Sequence, residues 1–196
     1  MEVPPQLRVM NQHLSNIPRS TPSAMSTNFF NYAAPRDKLP TYFYRVYHEG
    51  SFNQRSRGDD EDEDGILSGK PNSYLGTDEL ALEALQDHLD AGNRSRPTPF
   101  VSVYKNRGQA IRLIERLQSQ GKRGIRVAIV YMRFVKPNVR WAILDVGRAA
   151  NYLGIELSPG AIEASNSEHL FLRLIPLGAI KKDLSASSFL EIDWEE

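Results

Sequence analysis

The stretch TYFYRVYHEG, Thr41 to Gly50, places the tightest constraint on what this chain can fold into. Its aromatic and β-branched residues contain no proline and end at a glycine, which predicts a strand over Tyr42–Tyr47. Side chains alternate along a strand. Tyr42, Tyr44 and Val46 therefore share one face, and Phe43, Arg45 and Tyr47 share the other. Both faces are fit for burial, yet one carries an arginine between two aromatics. A buried, unpaired charge is costly, so Arg45 needs a partner or a solvated cleft.

Further patterns extend this strand into a domain. TDELALEALQDHLDAGN predicts a helix capped by Thr77 and stopped by Gly92, with a core stripe of Leu82, Leu85 and Leu89 and with His88 beside it as a half-buried structural residue. Phe100–Tyr104 reads as a second strand. RGQAIRLIERLQSQG follows as an amphipathic helix with Ala110, Leu113, Ile114 and Leu117 on one face. IRVAIVYMRF is apolar enough for a central strand. VRWAILDV gives a fourth, followed by a short element in ANYLGI. A strand from Glu168 to Ile175, a turn at Pro176 and a short strand ending near Ile180 close the domain. Strands and helices do not alternate regularly, so the fold class is α+β rather than a doubly wound sheet.

The flanks differ in composition. Residues 1–38 are rich in Pro, Ser, Asn and Gln without a clear period and read as a disordered tail, with NFFNYAA as a candidate docking element. The domain proper is expected over 39–182, and 183–196 as an acidic C-terminal tail or terminal helix. The run Asp59–Asp64 repels itself and reads as a solvated loop. It overlaps Arg57-Gly58-Asp59, which is taken as chance. Gly65–Lys70 fails as a phosphate loop because the glycines are too close and Pro71 stands where Ser or Thr is required.

The 196 residues carry 24 basic and 24 acidic side chains, a formal net charge of zero. Glu49–Asp90 holds twelve acids against three bases, and Lys105–Arg148 holds eleven bases against two acids. Two complementary solvated surfaces explain this split, because the bases are scattered rather than clustered; the alternative is attraction of phosphates or nucleic acid. No apolar run approaches about 18 residues, which predicts no membrane span, and the N-terminus lacks a secretory pattern. Cysteine is absent, so disulfides and cysteine-based sites are excluded. An intracellular protein, cytoplasmic or nuclear, is expected. No HExxH, Cys/His or GxSxG spacing occurs, so neither a metal nor a hydrolase elbow is expected. Asp145 reads as a helix cap or turn residue.

The opening pattern recurs twice. Ser102 shares a face with Phe100 and Tyr104, and Glu168 shares a face with Leu170, Leu172 and Leu174. Taken singly, each polar residue has a plain explanation as an ion-pair member or a strand-end residue in water.

Together, Tyr44-Arg45, the aromatic–spacer–serine motif of Phe100 and Ser102 with its following helix, and Glu168 opening a late strand resemble the Arg-Ser-Glu branch of the ADP-ribosyltransferase superfamily. The resemblance spans about Tyr42 to Ile180, and the whole also looks like an uncharacterised fungal domain family sharing the YRVY opening. It implies a split β-sheet core with two main helices. It also implies NAD as substrate, with Glu168, Ser102 and Arg45 catalytic, and Arg45, Tyr47, Ser102 and Tyr104 contacting NAD.

The chemistry matches those residue types. Breaking the bond to nicotinamide passes through an oxocarbenium-like transition state that a carboxylate stabilises. A guanidinium suits a phosphate, a hydroxyl can position the glutamate, and Tyr47 or Tyr104 could stack on nicotinamide. Ser102-Val103-Tyr104 departs from the family's Ser-Thr-Ser. Asn166 stands where arginine-modifying members carry a second Glu, so it bears on acceptor specificity and argues against arginine. The implied function is a transferase onto another acceptor, protein or nucleic acid, or an NAD glycohydrolase. The alternatives are an inactive binding module on the same fold and, third, RNA phosphate processing. For the last, His48 and His169 are the histidines at hand, although alternation turns His169 away from Glu168. The oligomeric state is not legible.

Overall fold

The computed structural model of the protein describes residues 33–34, 36–53, 55–56, 65–89, 96–135, 143–157 and 159–192. The acidic run Asp59–Asp64, Gly92, most of the N-terminal tail and the last four residues of the C-terminal tail lie outside the described residues. Among those described, the chain is α+β.

The main sheet holds β1 (Tyr42–Tyr47), β4 (Phe100–Tyr104), β5 (Arg126–Tyr131), β6 (Ile143–Asp145), β7 (Glu168–Leu172) and β9 (Ile180–Ser185) in the order β6-β7-β4-β1-β5-β9. A three-stranded sheet holds β2 (Arg55–Ser56), β3 (Gly65–Leu67) and β8 (Leu174–Pro176) in the order β2-β3-β8. All pairings are antiparallel. The helices are α1 (Asp78–Leu89), α2 (Arg107–Ser119), α3 (Val146–Leu153), α4 (Pro159–Ser165) and α5 (Ala186–Glu191).

Both faces of β1 are covered, as its sequence requires. Phe43 and Tyr47 pack with Val101, Val103, Ala128, Val130 and Phe171 against Ile66 and Ile175 of the small sheet. On the opposite face Tyr44 and Val46 meet Ala110 and Ile114 of α2 and Phe189 of α5. Farther along that face, Ala81 and Leu85 of α1 cover Phe100, Leu170 and Leu172. Ala81 and Leu85 are therefore the deepest residues of α1, and Leu82 is only half-buried. Thr77 caps α1 by accepting from the Leu80 amide at 3.3 Å. Asp145 caps α3, accepting from the Arg148 amide at 2.9 Å.

The main sheet is joined unevenly. β1 and β5 pair from Tyr42↔Tyr131 to Tyr47↔Arg126, and β4 and β7 from Phe100↔Leu172 to Tyr104↔Glu168. β1 and β4 register at Tyr44↔Tyr104 alone. Two three-stranded halves thus meet at one residue pair.

The structure corrects two readings at the end of the domain. The strand expected over Glu168–Ile175 breaks at Arg173, whose φ of 69° is left-handed. There the chain leaves the main sheet and enters the small one. Backbone bonds hold the switch, Arg173 N to Pro99 O and Ser68 N to Arg173 O, both 2.7 Å. Secondly, the stretch expected as a tail or terminal helix holds the end of a strand, β9, and then the helix α5. β9 begins at Ile180, where a short strand was expected to end, and pairs with β5. Arg126 bonds Asp183 at 3.0 Å. The Arg107 guanidinium donates to the carbonyls of Phe189, Leu190 and Ile192, a cation placed where the α5 dipole is negative. The N-terminal segment docks as far as Ala33, which bridges Leu144 at the outer edge of β6.

Gly65 is required by the layer contact. Its φ is 155°, and a Cβ there would lie 2.0 Å from the Ile175 carbonyl oxygen. Gly108, in the first turn of α2, has nothing within 4 Å of such a Cβ. Gly65→Ala is expected to destabilise the fold by about 3 kcal/mol, whereas Gly108→Ala should stabilise it by about 0.5–1 kcal/mol. Urea unfolding of the two variants beside wild type checks both signs.

Candidate functional site

The gap between β1 and β4 shapes the site. Continued pairing beyond Tyr44↔Tyr104 would set Val46 opposite Ser102. Both residues instead line a cleft of about 1570 Å³. Arg45, Ser102, Tyr104 and Glu168 all line this cleft, drawn from β1, β4 and β7. The Tyr104↔Glu168 register sets the carboxylate beside the phenol, two residue pairs along from Ser102↔Leu170.

Arg45 is 9% exposed. Its Nη1 donates to the Ser102 carbonyl at 2.9 Å, reaching across the gap to an acceptor on the separated strand. Its Nε is buried without a hydrogen-bond partner. Burial pulls the guanidinium pKa down, while Tyr104, Glu168 and Tyr47 favour the charge. Glu168 is half-buried at the start of β7.

Ser102 is held by a residue that sequence reasoning treated as structural. Its Oγ lies 2.7 Å from His88 Nε2, and His88 Nδ1 lies 2.6 Å from Thr98 Oγ1. The His88 ring stands edge-on to Phe100, 5.5 Å between centroids. The legible signal was that Ser102 and Phe100 share a strand face which the α1 stripe must cover, with His88 three residues beyond Leu85. Phe52 was missed entirely. It is 53% exposed at the cleft wall, an aromatic in solvent beside polar groups.

Tyr47 does not line the cleft. It packs in the core between the two sheets and donates its hydroxyl to Asp183 at 2.7 Å. Burial, then Asp183, pushes its pKa up to about 12. The alternation that aligned it with Arg45 is correct and both residues pair with β5, but the Tyr47 hydroxyl turns to Asp183 of β9 whereas the Arg45 guanidinium reaches Ser102 of β4. Tyr104 and Phe52 are the aromatic residues at the cleft. Asn166 is exposed in the turn between α4 and β7, outside the cleft wall. His169 faces away from Glu168, its ring 4.9 Å from Phe43. Burial lowers its pKa, opposed by Asp145. His48 lines the cleft, its pKa lowered by burial and then by Lys122 and Arg45.

The wall carries both signs of charge. Arg96, Arg116 and Lys122 stand among Asp87, Glu115 and Glu156. Among the described residues no group of His, Asp or Glu could hold a metal ion, and no helix is long and apolar enough to cross a membrane.

These features define an α+β domain with a mixed-charge cleft at the seam of its main sheet. Residues 38–189 match the family described as Domain of unknown function (DUF7587), and the chain belongs to that family. The match runs from before β1 into α5 and includes Arg45, His88, Ser102 and Glu168. No curated protein matches the chain.

Arg45→Ala removes a donor from a half-buried carbonyl and leaves a void at the seam. It should cost on the order of 2–4 kcal/mol. Thermal and urea unfolding of Arg45→Ala check this, and a variant as stable as wild type would show that the seam does not depend on the guanidinium.

Proposed function

We propose that the domain uses NAD, as an ADP-ribosyltransferase with a non-arginine acceptor or as an NAD glycohydrolase, on an ADP-ribosyltransferase-like split-sheet core. One observation carries the reading. Arg45, Ser102 and Glu168, far apart in sequence and each out of place on an apolar strand, line one cleft where the sheet parts.

Glu168 takes the role of the carboxylate that stabilises the developing positive charge as the ribose–nicotinamide bond breaks. Its half-buried position limits competition from water, and Arg45 and Tyr104 stand beside it. Tyr104 or Phe52 offers a face to the nicotinamide ring. The cleft exceeds the roughly 300–1,000 Å³ of drug-sized pockets, which suits a ligand as long as a dinucleotide. Water as acceptor gives hydrolysis; a protein or nucleic-acid nucleophile gives transfer. In this reading Asn166, exposed in the turn before Glu168, bears on the choice of acceptor.

A second reading is a binding module that keeps the fold without turnover. It is favoured by Arg45, whose Nη1 is already committed to the Ser102 carbonyl in a buried position. An arginine so used cannot swing freely to a phosphate.

Nicotinamide release from NAD by the purified protein separates the two. The transferase or hydrolase reading expects release that falls by about 100-fold or more in Glu168→Gln. NAD that neither binds nor turns over would overturn the reading, and binding without release would favour the second.

A further inference from the structure

The Thr98–His88–Ser102 chain has a direction. Thr98 is buried, 7% exposed, and among the described residues its hydroxyl meets one hydrogen-bond partner, His88 Nδ1. A hydroxyl has one proton to donate and needs an acceptor for it. If Nδ1 carried the ring proton, it would donate to Thr98, and the Thr98 proton would have no acceptor among the described residues, an arrangement that folded proteins avoid. The satisfied arrangement has Thr98 donating to a bare Nδ1. The neutral ring then carries its proton on Nε2 and donates it to Ser102 Oγ, 2.7 Å away. The hydroxyl of Ser102 has no second partner among the described residues, and Ser102 lines the cleft.

We infer that Thr98 and His88 form a relay that makes Ser102 an obligate hydrogen-bond donor into the cleft, with His88 as its positioning residue. The site therefore selects a ligand with an acceptor oxygen at that point. The same direction excludes a serine nucleophile activated by His88, because an Nε2 that already holds a proton cannot accept another from Ser102. The edge-on Phe100 and the two hydroxyls hold the ring, so the relay is set before a ligand arrives. The ligand assignment rests on the NAD reading, in which the acceptor is the carboxamide oxygen of nicotinamide. The relay itself does not.

Two measurements on the full chain test it. Long-range ¹H–¹⁵N spectra of the histidine rings report the tautomer directly. The Nε2-protonated form is expected for neutral His88 in the wild type. It should be lost or mixed in Thr98→Val, which removes the donor, and restored in Thr98→Ser, which keeps it. An Nδ1-protonated ring in the wild type, or a Thr98→Val spectrum unchanged at His88, would overturn the relay. Titration with nicotinamide tests the ligand: Ser102→Ala and Thr98→Val should each weaken binding about tenfold, with Thr98→Ser near wild type. Nicotinamide that binds the variants equally well, or does not bind the wild type, would overturn the ligand assignment. The tautomer needs no ligand, so failure of the NAD reading and failure of the relay give different results.

Discussion

The bond from Arg45 to the Ser102 carbonyl is the interaction on which the rest depends. A sheet that parts between two strands strands backbone groups along the seam, and a buried carbonyl needs a donor. Here the main sheet is held across its middle by the pair Tyr44↔Tyr104. Just beyond that pair the Arg45 side chain replaces the missing strand bond, at 2.9 Å. A guanidinium suits the position because it is long enough to cross the gap and has donors to spare. Its cost is a buried charge, offset only in part by the phenols and carboxylate placed around it.

The three polar residues on apolar strands meet the cost of burial in three ways. Arg45 spans the gap. Ser102 is tied to His88 of α1, and His88 in turn to Thr98. Glu168 keeps partial contact with water by opening its strand. Each solution turns the polar end toward the same cleft, while neighbouring positions fill the cores on the two sheet faces. Stability and site are therefore difficult to separate here. The seam at which Ser102 lines the cleft is the seam that Arg45 bridges.

Local patterns were the legible part. β1, β4 and α2 stand where aromatic, alternating and 3.6-period signals placed them, because each of those segments carries its own boundary residues. Failures came where one dihedral or a distant partner decides. The left-handed Arg173 divides an otherwise continuous apolar run between two sheets. β9 and α5 look like a polar tail until β5, Asp183 and Arg107 are beside them. α4 and the short strands of the small sheet carry too few residues for a period. At the site, face alternation assigned Arg45, Ser102 and Glu168 as odd residues, but it could not distinguish Tyr47, whose hydroxyl goes to Asp183 on β9, from Arg45, which reaches across to β4. His88 was visible only as a neighbour of a stripe, since its partners come from another element.

The account stands on the seam being a binding cleft rather than a packing fault. Backbone amide shifts of the labelled protein, followed while NAD is added, test this most directly. The account predicts saturable changes concentrated at Arg45, Ser102, Tyr104 and Glu168, fading along β9 and the small sheet. A spectrum that does not move, or that moves only at surfaces away from the seam, would contradict it.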